Sequence, residues 1–124
     1  MSEWKLQLAK VGPWLSMNDR SHWAERARGT RAWRAAALWS ARAARLPVGL
    51  DRVRVEIWVH KTTARKYDAG NLQPTAKAVV DGLVDYGLVP DDDNEHLIGP
   101  DMRMGAKAEQ PGLTVIIRAE ELGL

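Results

Sequence analysis

Cysteine is absent from this chain of 124 residues, which excludes disulfides and Cys-ligated zinc. The sequence also lacks a run of about 18 apolar residues, so no transmembrane helix is expected. Its first five residues show no apolar core of a signal peptide. No repeat or long linker divides the chain, which predicts one domain over residues 1–124. These absences together predict a soluble, cytoplasmic protein without a membrane partner.

Charge is unevenly distributed along the chain, although the net charge is only +2 at pH 7. Residues 1–66 hold 14 Lys and Arg against 5 Asp and Glu, a net charge of +9. Residues 67–124 hold 4 against 11, a net charge of −7. This asymmetry is typical of a basic surface for a polyanion beside a separate acidic centre. A second interpretation stays open, in which the two halves only neutralise each other in the folded chain.

Hydrophobic periodicity predicts six elements of secondary structure. Strands are predicted over residues 4–9, 52–60, 96–98 and 113–118. Helices are predicted over residues 21–45 and 75–86, with Pro74 in the first turn of the second helix and Gly87 as its end. The order β-α-β-α-β-β favours an α+β fold, a small mixed β-sheet with two main helices packed on one face.

The first predicted helix is rich in Ala and Arg, which both favour helices. Gly29 is a candidate interruption, with Thr30 as the N-cap of the second stretch. Four arginines fall within an arc of about 80° on this helix: Arg31, Arg34, Arg42 and Arg45. Small residues on the opposite side are expected to let the helix lie close to a sheet: Ala36, Ala37, Ser40 and Ala44.

Three acidic features follow one another in the second half of the chain. Asp68 precedes the second helix, the helix carries Lys77, Asp81 and Asp85 at i, i+4 and i+8, and Asp91-Asp92-Asp93 follow the helix. Taken singly, they are typical of a turn, a solvated ion-pair ladder and a solvated loop. Taken together, they supply hard oxygen ligands from separate segments, which Mg²⁺ or Mn²⁺ requires. Such ions support phosphodiester hydrolysis.

These motifs resemble the signature of the RusA-like Holliday-junction resolvases. The matching stretches are Asp68-Ala69-Gly70-Asn71, Lys77-Ala78-Val79-Val80-Asp81-Gly82-Leu83 and Gly87-Leu88-Val89-Pro90-Asp91-Asp92. The resemblance extends to the N-terminal half, with a first strand, a loop containing Pro13 and Asn18, a helix and an edge-like strand. It implies a homodimeric, Mg²⁺- or Mn²⁺-dependent endonuclease that cuts branched, four-way DNA junctions in recombination and repair. Members of the family are often phage- or prophage-encoded, which suggests a nucleoid-associated location.

The resemblance also assigns roles to individual residues. Asp68 and Asp92 would be the principal metal ligands, Asp81 and Asp91 would complete the site, and Lys77 would act at the phosphate. Phosphates of the junction arms would be held by polar and basic residues: Asn18, Arg20, Arg31, Arg34, Lys61, Arg65, Lys66 and Asn71.

Two departures from the family signature leave alternatives open. Gly70 replaces the second Asp of the family's Asp-x-Asp-Asn turn, and Leu72-Gln73-Pro74 are additional residues before the Lys-bearing helix. The chain could therefore be a non-catalytic homologue that binds branched DNA after losing a ligand at Gly70. A third alternative is a protein-interaction domain whose acidic loop is only a solvated surface.

Overall fold

The computed structural model of the protein describes residues 2–18 and 20–120, so Asp19 in the loop before the first helix lies outside the described residues. The elements in chain order are β1 (Glu3–Ala9), α1 (Trp23–Ala43), β2 (Val53–His60), α2 (Gln73–Tyr86), β3 (Leu97–Met104) and β4 (Gly112–Ala119). A short 3₁₀ helix, Ala69–Leu72, precedes α2. The predicted order and the α+β class are both confirmed.

The four strands form one mixed sheet in the order β1-β4-β2-β3. β4 pairs antiparallel with both β1 and β2, whereas β3 lies parallel to β2 because the chain crosses over through α2. The expected edge position of the strand over residues 52–60 is wrong, since β2 is an inner strand. Its apolar side chains Val53, Val55, Ile57 and Val59 are completely buried, as suits a central position.

The strand predicted over residues 96–98 is longer than expected and runs to Met104. The dipeptide Gly99-Pro100 interrupts the alternation of residue types there, which hides the strand from periodicity. Gly99 has φ = 106°, and a Cβ on it would lie 2.5 Å from the carbonyl oxygen of Val55. Glycine is therefore required where β3 approaches β2, next to a register shift between Arg54 and Glu56.

The prediction that α1 breaks at Gly29 is wrong. Gly29 is buried inside a continuous helix, where a Cβ would lie 3.0 Å from Leu15. The cap is His22, whose Nδ1 accepts a hydrogen bond from the Ala24 N–H at 3.2 Å. Thr30 bonds back to the Arg26 carbonyl instead of capping a second helix.

Of the small residues predicted to lie close to the sheet, Ala37 is buried against α2, whereas Ala44 is exposed. A Cβ on Gly82 of α2 would lie 2.8 Å from the Cβ of Ala37. Trp33, Ala37 and Ala41 of α1 are fully buried in the core shared with α2 and the sheet. Neither helix within the described ranges is both long and apolar enough to cross a membrane.

Candidate metal and nucleic-acid site

Asp68 forms the turn that leads into α2. One oxygen of its carboxylate, Oδ1, accepts the Gly70 N–H at 2.9 Å, and its backbone carbonyl accepts the Asn71 N–H at 3.0 Å. A Cβ on residue 70 would lie 3.1 Å from that same Oδ1, so Gly70 allows the turn to close tightly. The side chain of Asp68 thus caps the 3₁₀ helix, as its position before a helix predicts.

Lys77 connects the acidic residues of α2 with those of the following loop. Its ammonium group donates to Asp81 Oδ1 at 2.7 Å, one helical turn away, and to Asp92 Oδ2 in the loop. Both carboxylates raise the pKa of Lys77, and the Lys77 ammonium lowers the pKa of Asp92. Two carboxylates from separate segments therefore lie around one cation at the surface.

The loop after α2 is held at its base by apolar residues. Gly87 ends the helix in the left-handed conformation with φ = 98°, and Leu88 and Val89 are buried directly after it. Asp91 Oδ1 accepts the Asp92 N–H at 2.7 Å, and Asp93 Oδ1 accepts the N–H groups of Glu95 and His96. This anchoring presents the acidic run at the surface beside α2.

Asp85 does not belong to this cluster, although the helical spacing places it on the same face as Lys77 and Asp81. Its carboxylate forms a two-point ion pair with Arg34 of α1, at 2.5 Å to Nε and 2.7 Å to a terminal nitrogen. The guanidinium lowers the pKa of Asp85. Arg34, predicted to bind DNA, is therefore already engaged in joining the two helices.

The predicted metal ligands are brought together only in part. Within residues 2–18 and 20–120, the single set of three ligand atoms all within 4.8 Å of one another comes from Asp93, Glu95 and His96. These groups lie at the surface, where acidic clusters are common without an ion. The four predicted ligands form no such set in the described chain: Asp68 caps its turn, Asp81 and Asp92 meet through Lys77, and Asp91 bonds to the backbone. Magnesium binding stays a prediction.

A buried threonine that the sequence did not single out holds the N-terminal loop against α2. Thr75 is fully buried, and its hydroxyl accepts the Leu15 N–H at 2.8 Å and donates to the Leu15 carbonyl at 2.9 Å. The Met17 N–H donates to the Asn71 carbonyl at 2.8 Å. Of the positions predicted to bind DNA, Asn71 is thus bonded through its backbone to the residue that precedes Asn18. The available signal was a polar residue on the apolar stripe of a helix, which requires a partner when buried.

The basic loop over residues 61–66 leads from β2 to the Asp68 turn. The Lys61 ammonium lies 4.1 Å from the ring centroid of Tyr67, whose hydroxyl donates to the Val59 carbonyl at 3.0 Å. Arg65 and Lys66 are exposed. Of the remaining predicted DNA-binding residues, Arg20 and Arg31 are also exposed, in the loop before α1 and on α1 itself.

An open groove of about 570 Å³ lies elsewhere, between the end of β1, the start of β4 and the loop between β3 and β4. His60 and Thr114 line it and are joined by a hydrogen bond of 2.8 Å. None of the predicted metal ligands lines this groove. The acidic cluster is accordingly a surface site and not the floor of this groove.

Comparison with protein-family models gives no match for this sequence, and comparison with curated proteins gives none either. The resemblance to the RusA-like resolvases therefore stays a prediction from the sequence motifs.

Proposed function

We propose that the protein is a metal-dependent, structure-selective endonuclease that cuts four-way DNA junctions as a homodimer in the cytoplasm. One observation carries this proposal: Lys77 joins the carboxylates of Asp81 and Asp92, which come from a helix and from a separate loop. Carboxylates that gather around a cation at the surface are the groups a divalent ion requires. An ammonium beside them can contact a phosphate oxygen as negative charge develops on it.

The chemistry of the donor set fits Mg²⁺ or Mn²⁺. Asp81 and Asp92 would hold the ion with Asp91, which adjoins Asp92, and Asp68 would complete the site from the turn before α2. A bound divalent ion supplies the charge that activates water and stabilises the leaving oxygen. Lys77 has 57% of its side chain exposed, so it can leave the carboxylates and bind the phosphate that is cut.

The surroundings of this cluster support a nucleic-acid substrate. The exposed Arg65 and Lys66 lie shortly before Asp68 in the chain. The backbone of Met17, which precedes Asn18, bonds to Asn71 in the short helix that follows Asp68. Cationic groups bind phosphates without reading sequence, which suits an enzyme that selects DNA by its branched shape.

A junction-cleavage assay with a matched pair of variants tests this function. A labelled four-way junction and a linear duplex are incubated with the wild-type protein, Asp92→Asn and Asp85→Asn in Mg²⁺ or Mn²⁺. We expect paired cuts in the junction alone, which Asp92→Asn loses and Asp85→Asn retains because Asp85 is paired with Arg34. If the wild-type protein neither binds nor cuts the junction, the proposal is overturned and a protein-interaction domain is favoured.

The non-catalytic alternative is favoured by the position of Gly70. The N–H of this residue engages Asp68 Oδ1, and no carboxylate stands where the family signature has one. A Gly70→Asp variant distinguishes the two candidates, with Gly70→Ala as the control for crowding of Asp68. If the wild-type site is inactive because it lacks a metal-ligating carboxylate at position 70, Gly70→Asp gains cleavage that the wild-type protein lacks. If the wild-type site is complete, the wild-type protein cuts and Gly70→Asp brings no such gain.

A further inference from the structure

The outward face of α1 carries a stripe of basic and aromatic side chains. Arg28, Arg31, Trp39 and Arg42 fall within an arc of about 80° on the helix, opposite the buried Trp33, Ala37 and Ala41. Arg28 and Arg42 are 14 residues apart, a distance of about 21 Å along the helix at 1.5 Å per residue. These four residues define the surface called the Trp39 stripe.

Among the residues that the structure describes, the guanidinium groups of the Trp39 stripe form no ion pair. Arg34, on the flank of the helix, is paired with Asp85, but Arg28, Arg31 and Arg42 have no carboxylate within 4.0 Å among the described residues. Glu25, in the first turn, is the one acidic residue of α1. The stripe therefore presents positive charge that nothing on the described surface neutralises, and its electrostatic complement is a polyanion.

Trp39 is a large apolar side chain that remains in water. It is 62% exposed although Arg42 lies over its ring at 4.9 Å from the centroid. Duplex DNA offers phosphates to a basic helix but no free base face, since its bases are stacked on one another. An exposed indole between guanidinium groups is suited to a strand with unpaired bases, whose faces stack on aromatic rings while its phosphates bind arginines.

We infer that the Trp39 stripe binds single-stranded nucleic acid, with one unpaired base on Trp39 and the backbone along Arg28, Arg31 and Arg42. This binding requires neither a metal ion nor the carboxylates of the proposed nuclease site. It adds a contact for unpaired nucleotides to those of the proposed nuclease site.

The test is fluorescence anisotropy with a labelled oligothymidylate, and with a duplex of equal length, in EDTA over a range of salt concentrations. We expect Trp39→Ala to weaken binding of the oligothymidylate by about 5- to 100-fold, the loss of one stacked base. Trp39→Phe should retain most of the affinity. Trp23→Ala is the matched control, because Trp23 is 75% exposed on the same helix but lies outside the stripe. It should bind like the wild-type protein.

The charge contribution is measured in the same titrations. Arg31→Ala should reduce the slope of log K against log salt by about 0.7, the value for one phosphate contact on a single strand. Unchanged binding by Trp39→Ala, or equal losses for the oligothymidylate and the duplex, would overturn the inference. A change of oligomeric state in Trp39→Ala by analytical ultracentrifugation would overturn it in favour of a contact with a second copy. Asp92→Asn should bind the oligothymidylate like the wild-type protein. Binding by the Trp39 stripe is therefore tested independently of the nuclease proposal.

Discussion

Gly82 of α2 lies directly against the backbone of Arg34 in α1. A Cβ on Gly82 would be 2.2 Å from the Arg34 carbonyl oxygen, closer than any real contact of this kind. The side chain of Arg34 then reaches Asp85, one turn further along α2. Close approach of the backbones fixes α2 against α1, and the ion pair adds a second, exposed contact between the two helices.

Gly82→Ala is expected to destabilise the fold strongly. The added methyl group meets a backbone carbonyl and Ala37, and neither can move without separating the helices. Overpacking of this kind costs about 3 kcal/mol of the free energy of unfolding, which urea denaturation measures. Gly12→Ala is the control, because its Cβ would make only ordinary contacts at 3.8 Å. A Gly82→Ala protein as stable as Gly12→Ala would contradict the close packing of the two helices.

The ion pair between Arg34 and Asp85 predicts a specific dependence of stability on pH. Arg34 lowers the pKa of Asp85 in the folded state, so the stabilisation is present above the ordinary pKa of 3.8 and is lost as the pH falls through the lower folded value. Arg34→Met should return the Asp85 pKa, measured by carboxyl NMR, to its ordinary range. The difference in unfolding free energy between wild type and variant should shrink at acid pH. A difference that is independent of pH would contradict this account.

Thr75→Val should loosen the N-terminal loop from α2. Valine has nearly the same shape but leaves the buried N–H and carbonyl of Leu15 without a partner. An unsatisfied buried group costs about 1–3 kcal/mol, and hydrogen exchange should rise at Leu15 and Met17. Thr30→Val serves as the control, since its hydroxyl is exposed and donates to the Arg26 carbonyl within α1. Equal unfolding free energies in the two variants would contradict a stabilising role for the hydrogen bonds between Thr75 and Leu15.

The fold was predictable from sequence where burial is periodic. The alternation of Val53, Val55, Ile57 and Val59 predicts β2 to within one residue, and Gly87 ends α2 as predicted. Gly29 was misjudged because its role is set by Leu15, which packs on it from a distant segment. A glycine that breaks a helix in isolation is tolerated where a neighbouring side chain needs the space.

The site was only partly predictable, because helical spacing shows which residues share a face of the helix but not which residues they contact. Lys77, Asp81 and Asp85 share a face, yet Asp85 pairs with Arg34 at a sequence separation of 51 residues. The link from Lys77 to Asp92 depends on the path of the loop after Gly87, which no local pattern encodes. The order of the acidic motifs was visible in the sequence, whereas their tertiary partners were not.

Lys77→Met distinguishes two roles for Lys77: an ion-pair partner of Asp81 and Asp92, and a donor to the phosphate that is cut. The ammonium lies between Asp81 and Asp92, so in the absence of DNA it competes with a divalent ion for the same oxygens. Mn²⁺ affinity, measured by EPR titration, should therefore be retained or increased in the variant. Single-turnover cleavage of a four-way junction should fall by about 100-fold or more, as when one donor to a developing oxyanion is removed.

The outcome for Lys77→Met is read against Lys107→Met, an exposed lysine of the loop between β3 and β4 that lines the groove and not the acidic cluster. Lys107→Met should leave both Mn²⁺ affinity and cleavage unchanged. Full cleavage by Lys77→Met would reduce Lys77 to an ion-pair partner of its two carboxylates. Loss of Mn²⁺ binding together with cleavage would mean that the ammonium holds Asp92 in place, because Asp92 is joined to α2 through that contact. Retained Mn²⁺ binding with lost cleavage is the one result that assigns Lys77 to the phosphate.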